Sequence, residues 1–200
     1  MSNERPPWMG VLEALHESER RLGLALDSAR MGMWEWDVRS NQSVWNAKEY
    51  ELLGLPVGEG QVPTDAFFRC IHPEDLTALK ESLAAVLRDG SDWSSKYRII
   101  HPGGEVRWLA GAGRVFRDDA GAPQRMLGVN YDITARKQTE AALRDSRAKL
   151  AAALASMTDA VSISDVDGRL VEFNHAFATF HRFGSKEECK PTLAEYPALI

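Results

Sequence analysis

The sequence predicts an α+β chain: one antiparallel sheet with helices on one side, then a linker helix, then the front of a second copy. Two observations carry this. The apolar periodicity runs as two short strands, several short helices and three longer strands, an order that builds one sheet covered on one side. The chain also repeats itself at an offset of 128 residues without a gap. Leu15, Ser18, Leu22, Ala25, Leu26 and Ser28 recur as Leu143, Ser146, Leu150, Ala153, Leu154 and Ser156. Asp37, Val38 and Asn46 recur as Asp165, Val166 and Asn174. A period of this length marks tandem copies of one domain. Ile200 aligns with position 72, so the three strands expected after His72 have no counterpart in the second copy.

Residues 1–11 read as a disordered lead, polar at first and interrupted by Pro6 and Pro7. Over 12–30 the positions Leu12, Leu15, Leu22, Leu26 and Ala29 form a heptad seam broken by Glu19. That predicts an amphipathic helix suited to pairing or to lying on a sheet. Met33 to Val38 alternates and is rich in aromatics, which predicts a strand. Arg39 to Gln42 is a polar turn and Ser43 to Asn46 the return strand. Ala47 to Leu55 reads as a helix ended by Gly54 and Pro56, followed by a loop from Val57 to Pro63. Thr64 stands where it can cap a short helix to Ile71. Pro73 opens a longer helix to about Leu87, with Glu74 and Asp75 against its N-terminal dipole and Asp89-Gly90 as its stop. Trp93 to Ile100, Glu105 to Phe116 and Arg125 to Tyr131 are the last strands, separated by glycine-bearing turns. Thr134 or Asp132 caps an Ala/Arg/Lys/Glu/Leu-rich linker helix over 135–157, in which Leu143, Leu150 and Met157 recur every seven residues with Leu154 between. The second copy occupies 158–200 and begins with a hairpin over 161–173.

Composition narrows the function classes. The net charge of -5 argues against a nucleic-acid partner, which a basic face would recruit. No apolar run reaches the roughly 18 residues of a membrane span, and residues 1–7 lack the apolar core of a signal peptide. Cys70 and Cys189 do not match under the repeat, so they are neither a repeated disulfide nor a repeated metal pair; together these point to a reducing cytoplasm.

No catalytic set stands out. Gly103, Gly104, Gly111 and Gly113 lie in strands and turns rather than before a helix, so they do not cradle phosphate. No His, Cys, Asp and Glu grouping has metal-site spacing. His72 reads as a cap and His101 as a solvated turn residue. Cys70, in Phe67-Phe68-Arg69-Cys70-Ile71, reads as an inert buried thiol. A pocket is more plausible than a catalytic centre. Its candidate lining is Tyr97, Ile99, Trp108 and Ala110 on the sheet, with Tyr50, Leu53 and Phe67 opposite. Small residues such as Ala110, Ala112 and Gly128 could leave room for a small ligand, but the favoured reading is a core that large aromatics fill. Asp132-Ile133-Thr134 joins the last strand to the linker helix. Asp132 is expected to cap that helix or to pair with Arg107, so that a change in the sheet alters the helix.

These strings resemble a PAS domain with its C-terminal PAC part. The resemblance rests on Gly32-Met33-Trp34-Glu35-Trp36-Asp37, Tyr50-Glu51-Leu52-Leu53-Gly54-Leu55 and His72-Pro73-Glu74-Asp75. It continues in Tyr97-Arg98-Ile99, Gly104-Glu105-Val106-Arg107-Trp108, Gly128 and Asp132-Ile133-Thr134. It covers about 24–134 and restarts, shortened, near 147; the stretch from Phe173 to Pro197 is similar to repeats in multi-PAS sensor histidine kinases. It implies a five-stranded PAS fold over 31–134 in a sensory or dimerising module of bacterial signalling. The favoured reading is the cytoplasmic input region of a sensor histidine kinase, homodimeric through helices 12–30 and 135–157 (Leu15, Leu22, Leu26, Leu143, Leu150 and Leu154), with a response regulator downstream. Input to a diguanylate cyclase or phosphodiesterase, and a stand-alone binding or dimerisation protein, are the alternatives. The cofactor stays open: a haem ligand cannot be assigned, and the photoactive flavin–thiol subfamily places its cysteine in a polar Asn-Cys-Arg-type motif unlike the one around Cys70.

Overall fold

The computed structural model describes residues 7–182. They fall into two compact units divided between Lys137 and Gln138. Cys189 and the part of the second copy beyond residue 182 lie outside the described residues.

The first unit opens with helix α1 (Pro7–Ser28). It starts five residues before the expected Leu12, because proline's fixed φ suits a first helical turn, and Gly10 does not interrupt it. Strand β1 (Gly32–Asp37) pairs with β2 (Gln42–Trp45) in the expected hairpin, Trp34 opposite Trp45. Helix α2 (Ala47–Leu53) is capped by the Asn46 side chain, which accepts the Glu49 N–H at 2.9 Å. It ends at Gly54, whose φ of 70° lies in the left-handed region that glycine adopts without strain.

Where a loop is expected, Val62–Pro63 form a two-residue strand, β3, against Gln42 and Ser43. The sheet therefore has six strands, not five. Proline lacks an N–H and fits only such an edge. Helix α3 (Asp65–Cys70) follows Thr64, but Thr64 does not cap it. Its hydroxyl instead meets the Asn41 carbonyl at 3.1 Å and the Ser43 hydroxyl at 3.0 Å, fastening the new edge strand.

Helix α4 (Pro73–Asp89) has proline in its first turn, and His72 Nδ1 accepts the Glu74 N–H at 3.3 Å. Asp75 fastens this helix to strand β4 (Trp93–Ile100) by accepting both the backbone N–H and Nε–H of Arg98, at 2.8 and 3.0 Å. The Arg98 guanidinium holds the Asp75 carboxyl below the usual carboxylate range. His101 is not solvated as expected: its Nε2 lies 2.8 Å from the Leu52 carbonyl and ties the turn after β4 to α2. Strands β5 (Val106–Arg117) and β6 (Pro123–Asp132) complete the sheet in the order β3-β2-β1-β6-β5-β4, antiparallel throughout. Tyr97, Ile99, Leu109 and Met126 face α2, α3 and α4 and are almost fully buried.

The register corrects one expectation. Tyr97 pairs with Leu109 and Ile99 with Arg107, so Leu109, Gly111, Gly113 and Val115 look into the core. Trp108 and Ala110 point to the opposite face. Gly128 leaves no void either. A Cβ there would sit 2.2 Å from the Trp34 ring and 2.4 Å from the Ala112 carbonyl, so glycine is what lets the indole lie on the sheet. Gly128→Ala is expected to cost about 2 kcal/mol by overpacking, measured as a fall in the urea midpoint.

The second unit holds most of helix α5 (Thr134–Ser156), strands β7 (Ser162–Ser164) and β8 (Leu170–Phe173), and helix α6 (His175–Phe180). The sequence repeat is also a repeat of hydrogen bonds. Asn46 Oδ1 accepts the N–H groups of Met33 and Glu49, each at 2.9 Å. Asn174 Oδ1 accepts those of Val161 and Phe177, each at 3.0 Å, the same positions 128 residues on.

Candidate functional site

The space between sheet and helices is mostly filled. A cavity of about 30 Å³ remains, room for one or two water-sized groups. Its apolar walls are Trp34, Trp36, Trp45, Trp93, Phe67 and Phe68, with Leu83 behind. Ser43, Thr64, Glu49 and Asn130 supply its polar lining. Of the expected pocket residues, Phe67 alone lines it. Tyr97, Leu53 and Ile99 are core packing, Tyr50 is buried against Trp45 at 5.1 Å between ring centres, and Trp108, Ala110 and Gly128 take the roles given above.

The indoles are held in place. Trp93 Nε1 donates to Ser82 Oγ at 3.0 Å, Trp36 Nε1 to Asn41 Oδ1 at 3.2 Å, and Trp34 stands edge-on to Trp93 at 5.8 Å.

Sequence reasoning missed Glu49. It lies on α2 with no exposed surface. Asn130 Nδ2 donates to Glu49 Oε1 at 2.7 Å, and the Tyr97 hydroxyl donates to Asn130 Oδ1 at 2.8 Å. This chain of three joins α2, β6 and β4. Burial pushes the Glu49 carboxyl up to about 7, against the smaller opposing effect of the Asn130 bond. Burial also raises the Tyr97 phenol and the Cys70 thiol, and both feel the charge of Glu49. Glu49 Oε2 and Trp34 Nε1 are buried without a hydrogen-bond partner.

The second part of the site is the junction. Asp132 Oδ1 accepts the Thr134 N–H at 2.7 Å, the capping role expected of it. It does not pair with Arg107, which bonds Glu105 at 2.9 Å instead, because Glu105 shares its strand end and Asp132 is already engaged. Ile133 N–H donates to the Trp108 carbonyl at 2.9 Å, and the Trp108 N–H donates to Thr134 Oγ1 at 2.9 Å. Lys137 Nζ lies 5.2 Å and Arg98 Cζ 5.6 Å from the Trp108 ring centre, within cation–π range. Trp108 is thus a link from α4, through Asp75 and Arg98, to the start of α5.

The expected dimer residues divide. Leu15, Leu22, Leu143 and Leu150 are about half exposed, and Leu26 is less so. Leu154 is buried within the chain at 5% exposure and is not open to a second copy, a correction to its place on the seam. Among the described residues, no group of three or more His, Cys, Asp or Glu is placed to hold a metal ion. No described helix is long and apolar enough to cross a membrane.

An antiparallel sheet closed over an aromatic cavity, with its last strand bonded into an exit helix, defines a sensory module of signalling proteins. Residues 42–130 match the family model described as the PAS fold, and this chain carries a PAS domain of that family. A sensory box histidine kinase/response regulator structure from Burkholderia thailandensis is 29% identical, with a TM-score of 0.58 over 65% of this chain and 97% of that one. The probable diguanylate cyclase DgcE of Escherichia coli is 28% identical over 77% of this chain, and the sensor protein FixL of Bradyrhizobium diazoefficiens 26% over 73%. The chain spans only 14% and 29% of the lengths of those two relatives.

Proposed function

We propose that this chain is the cytoplasmic input region of a sensor histidine kinase. A change at the cavity shifts the sheet, and the Trp108–Thr134 junction passes it into α5. The observation that carries this reading is the junction itself: two hydrogen bonds and a cation–π contact join Trp108 of β5 to Ile133 and to Thr134 and Lys137 in the first turn of the exit helix. A modest change in strand position there alters a cap worth roughly 1 kcal/mol, enough to move a balanced equilibrium. Exposed Leu143 and Leu150, seven residues apart, are the seam through which α5 pairs with its copy in a parallel dimer, with α1 as a second contact. The output is autophosphorylation followed by transfer to a response regulator.

The match to DgcE over 77% of the chain favours a second reading, in which the same input controls cyclic-dinucleotide synthesis. Incubating the whole signalling protein with labelled ATP and, separately, with labelled GTP separates them. Acid-labile phosphoprotein from ATP is the expected result. A cyclic dinucleotide from GTP without phosphoprotein would replace the kinase by a cyclase.

A further inference from the structure

We propose that Glu49 is a proton-binding site through which the acidity of the surroundings acts on the Trp108–Thr134 junction, the relay being the Glu49–Asn130 hydrogen bond and strand β6. The site rests on the input reading given above and supplies it with a ligand, the proton.

The fold treats the two oxygens of this buried carboxyl differently. Oε1 accepts from Asn130 Nδ2 at 2.7 Å, while Oε2 lies beside Gly32 and has no hydrogen-bond partner. A Cβ at Gly32 would overlap Oε2, so glycine makes the room that the carboxyl occupies. Under the 128-residue repeat Gly32 aligns with Ala160 and Glu49 with Phe177, so the second copy lacks the glycine and the acid together. Phe177 is 4% exposed beneath the same asparagine cap. The helix start therefore does not require an acid here, and the acid is a property of the first copy.

Among the described residues, none of the charged groups around α2 is bonded to this carboxyl. Strand β4 presents the Tyr97 phenol and α3 the Cys70 thiol, both kept neutral by burial, with Arg69 acting on Cys70. Strand β6 presents the neutral Asn130 amide, and β1 presents Gly32. On α2 itself Lys48 bonds Glu51 at 2.6 Å at the surface, and Asp27 of α1 lies beside that pair. His101 is engaged at the far end of the helix, on the Leu52 carbonyl. Burial, not a charged partner, thus governs the titration of Glu49, and it brings that titration to about 7.

Protonated, the carboxyl is neutral and tolerates its dry surroundings. Ionised, it is a buried charge with one oxygen unanswered, and such a charge demands donors. Water has to enter beside Gly32 or α2 has to draw away from β1, and either displaces the acceptor of Asn130. Asn130 stands two residues before Asp132, on the same face of β6, and Asp132 caps α5. A shift of Asn130 therefore reaches the Trp108–Thr134 bond. The coupling is reciprocal: a junction held in one position changes the proton affinity of Glu49 by the same factor.

The test is a pH titration of the 200-residue chain followed by NMR, reading the Glu49 carboxyl carbon and the Trp108 backbone N–H. Neither reading uses output, so a junction that failed to govern output would leave the proton site standing. The ionised fraction of Glu49 should rise from about 10% at pH 6 to about 90% at pH 8, and the Trp108 resonance should move with the same midpoint. Glu49→Gln keeps an acceptor for Asn130 and should hold the Trp108 resonance still over this range. A Glu49 midpoint near the ordinary 4.5, a Trp108 resonance that does not follow Glu49, or one that moves alike in Glu49→Gln would each overturn the proposal.

Discussion

Asn130→Ala is expected to lower the stability of the first unit by about 4 kcal/mol. Asn130 is 1% exposed and carries two buried bonds, accepting from Tyr97 and donating to Glu49. Truncation strands the Tyr97 hydroxyl and Glu49 Oε1 together. Each buried group left unpaired costs about 1–3 kcal/mol, and the space vacated adds a smaller cavity cost. Losing both partners of a network exceeds the loss of an isolated bond, because the surroundings that strengthen the bonds also penalise their absence. Urea unfolding followed by tryptophan fluorescence measures this, with an unchanged slope showing that the midpoint shift is a stability change. A loss below about 1 kcal/mol would show that water replaces Asn130 and that the chain of three is not sealed.

Glu49→Gln should do the opposite, and only above pH 5. In the folded chain the Glu49 carboxyl titrates near 7, against an ordinary value of 4.5. Below 4.5 it is protonated in both states and contributes no pH dependence. Between 4.5 and about 7 the folded state holds a proton that the unfolded state has released, so stability falls as pH rises. Above about 7 the full cost of the buried charge remains, about 3 kcal/mol for a displacement of this size. Glutamine keeps an oxygen for the Asn130 amide and never ionises. The variant should match the parent at pH 4.5 and exceed it by about 3 kcal/mol at pH 8. Parallel stability curves for the two proteins would contradict a buried ionising Glu49.

The elements were legible in the sequence where turn chemistry marked them. Gly54, Pro73 and Gly90 each stand at a helix end, and β4 runs from Trp93 to Ile100 as its alternation indicates, whereas Asn46, expected in a strand, is the cap of α2. The face of β5 was not. Trp108, Ala110 and Ala112 alternate like a core face, but the inward positions include Gly111 and Gly113, which an apolar pattern does not register. They are glycines because the neighbours fill their space: a Cβ at Gly111 would lie 2.7 Å from the Trp93 ring, and one at Gly113 2.9 Å from Trp34. Large indoles on one strand demand missing side chains on the next, a correlation between strands that no single stretch displays.

Glu49 was missed for a related reason. In Ala47-Lys48-Glu49-Tyr50-Glu51 one acid among several reads as a solvated face. The signal that could have found it was the repeat, which sets an apolar Phe177 at the same position. The junction was legible as Asp132-Ile133-Thr134, but its partner was expected to be Arg107 and proved to be the Trp108 backbone.

In the proposed function this junction carries the signal from sheet to helix. Thr134→Val tests it most directly, because it removes the acceptor of the Trp108 N–H while keeping a β-branched side chain of similar shape. The measurement is the output rate of the whole signalling protein beside its Tm. The expected result is an output changed at least about threefold, a Tm lowered by only a few degrees, and recovery in Thr134→Ser, which restores the hydroxyl. Output unchanged in Thr134→Val, with only the Tm lowered, would make the junction a cap without a relay.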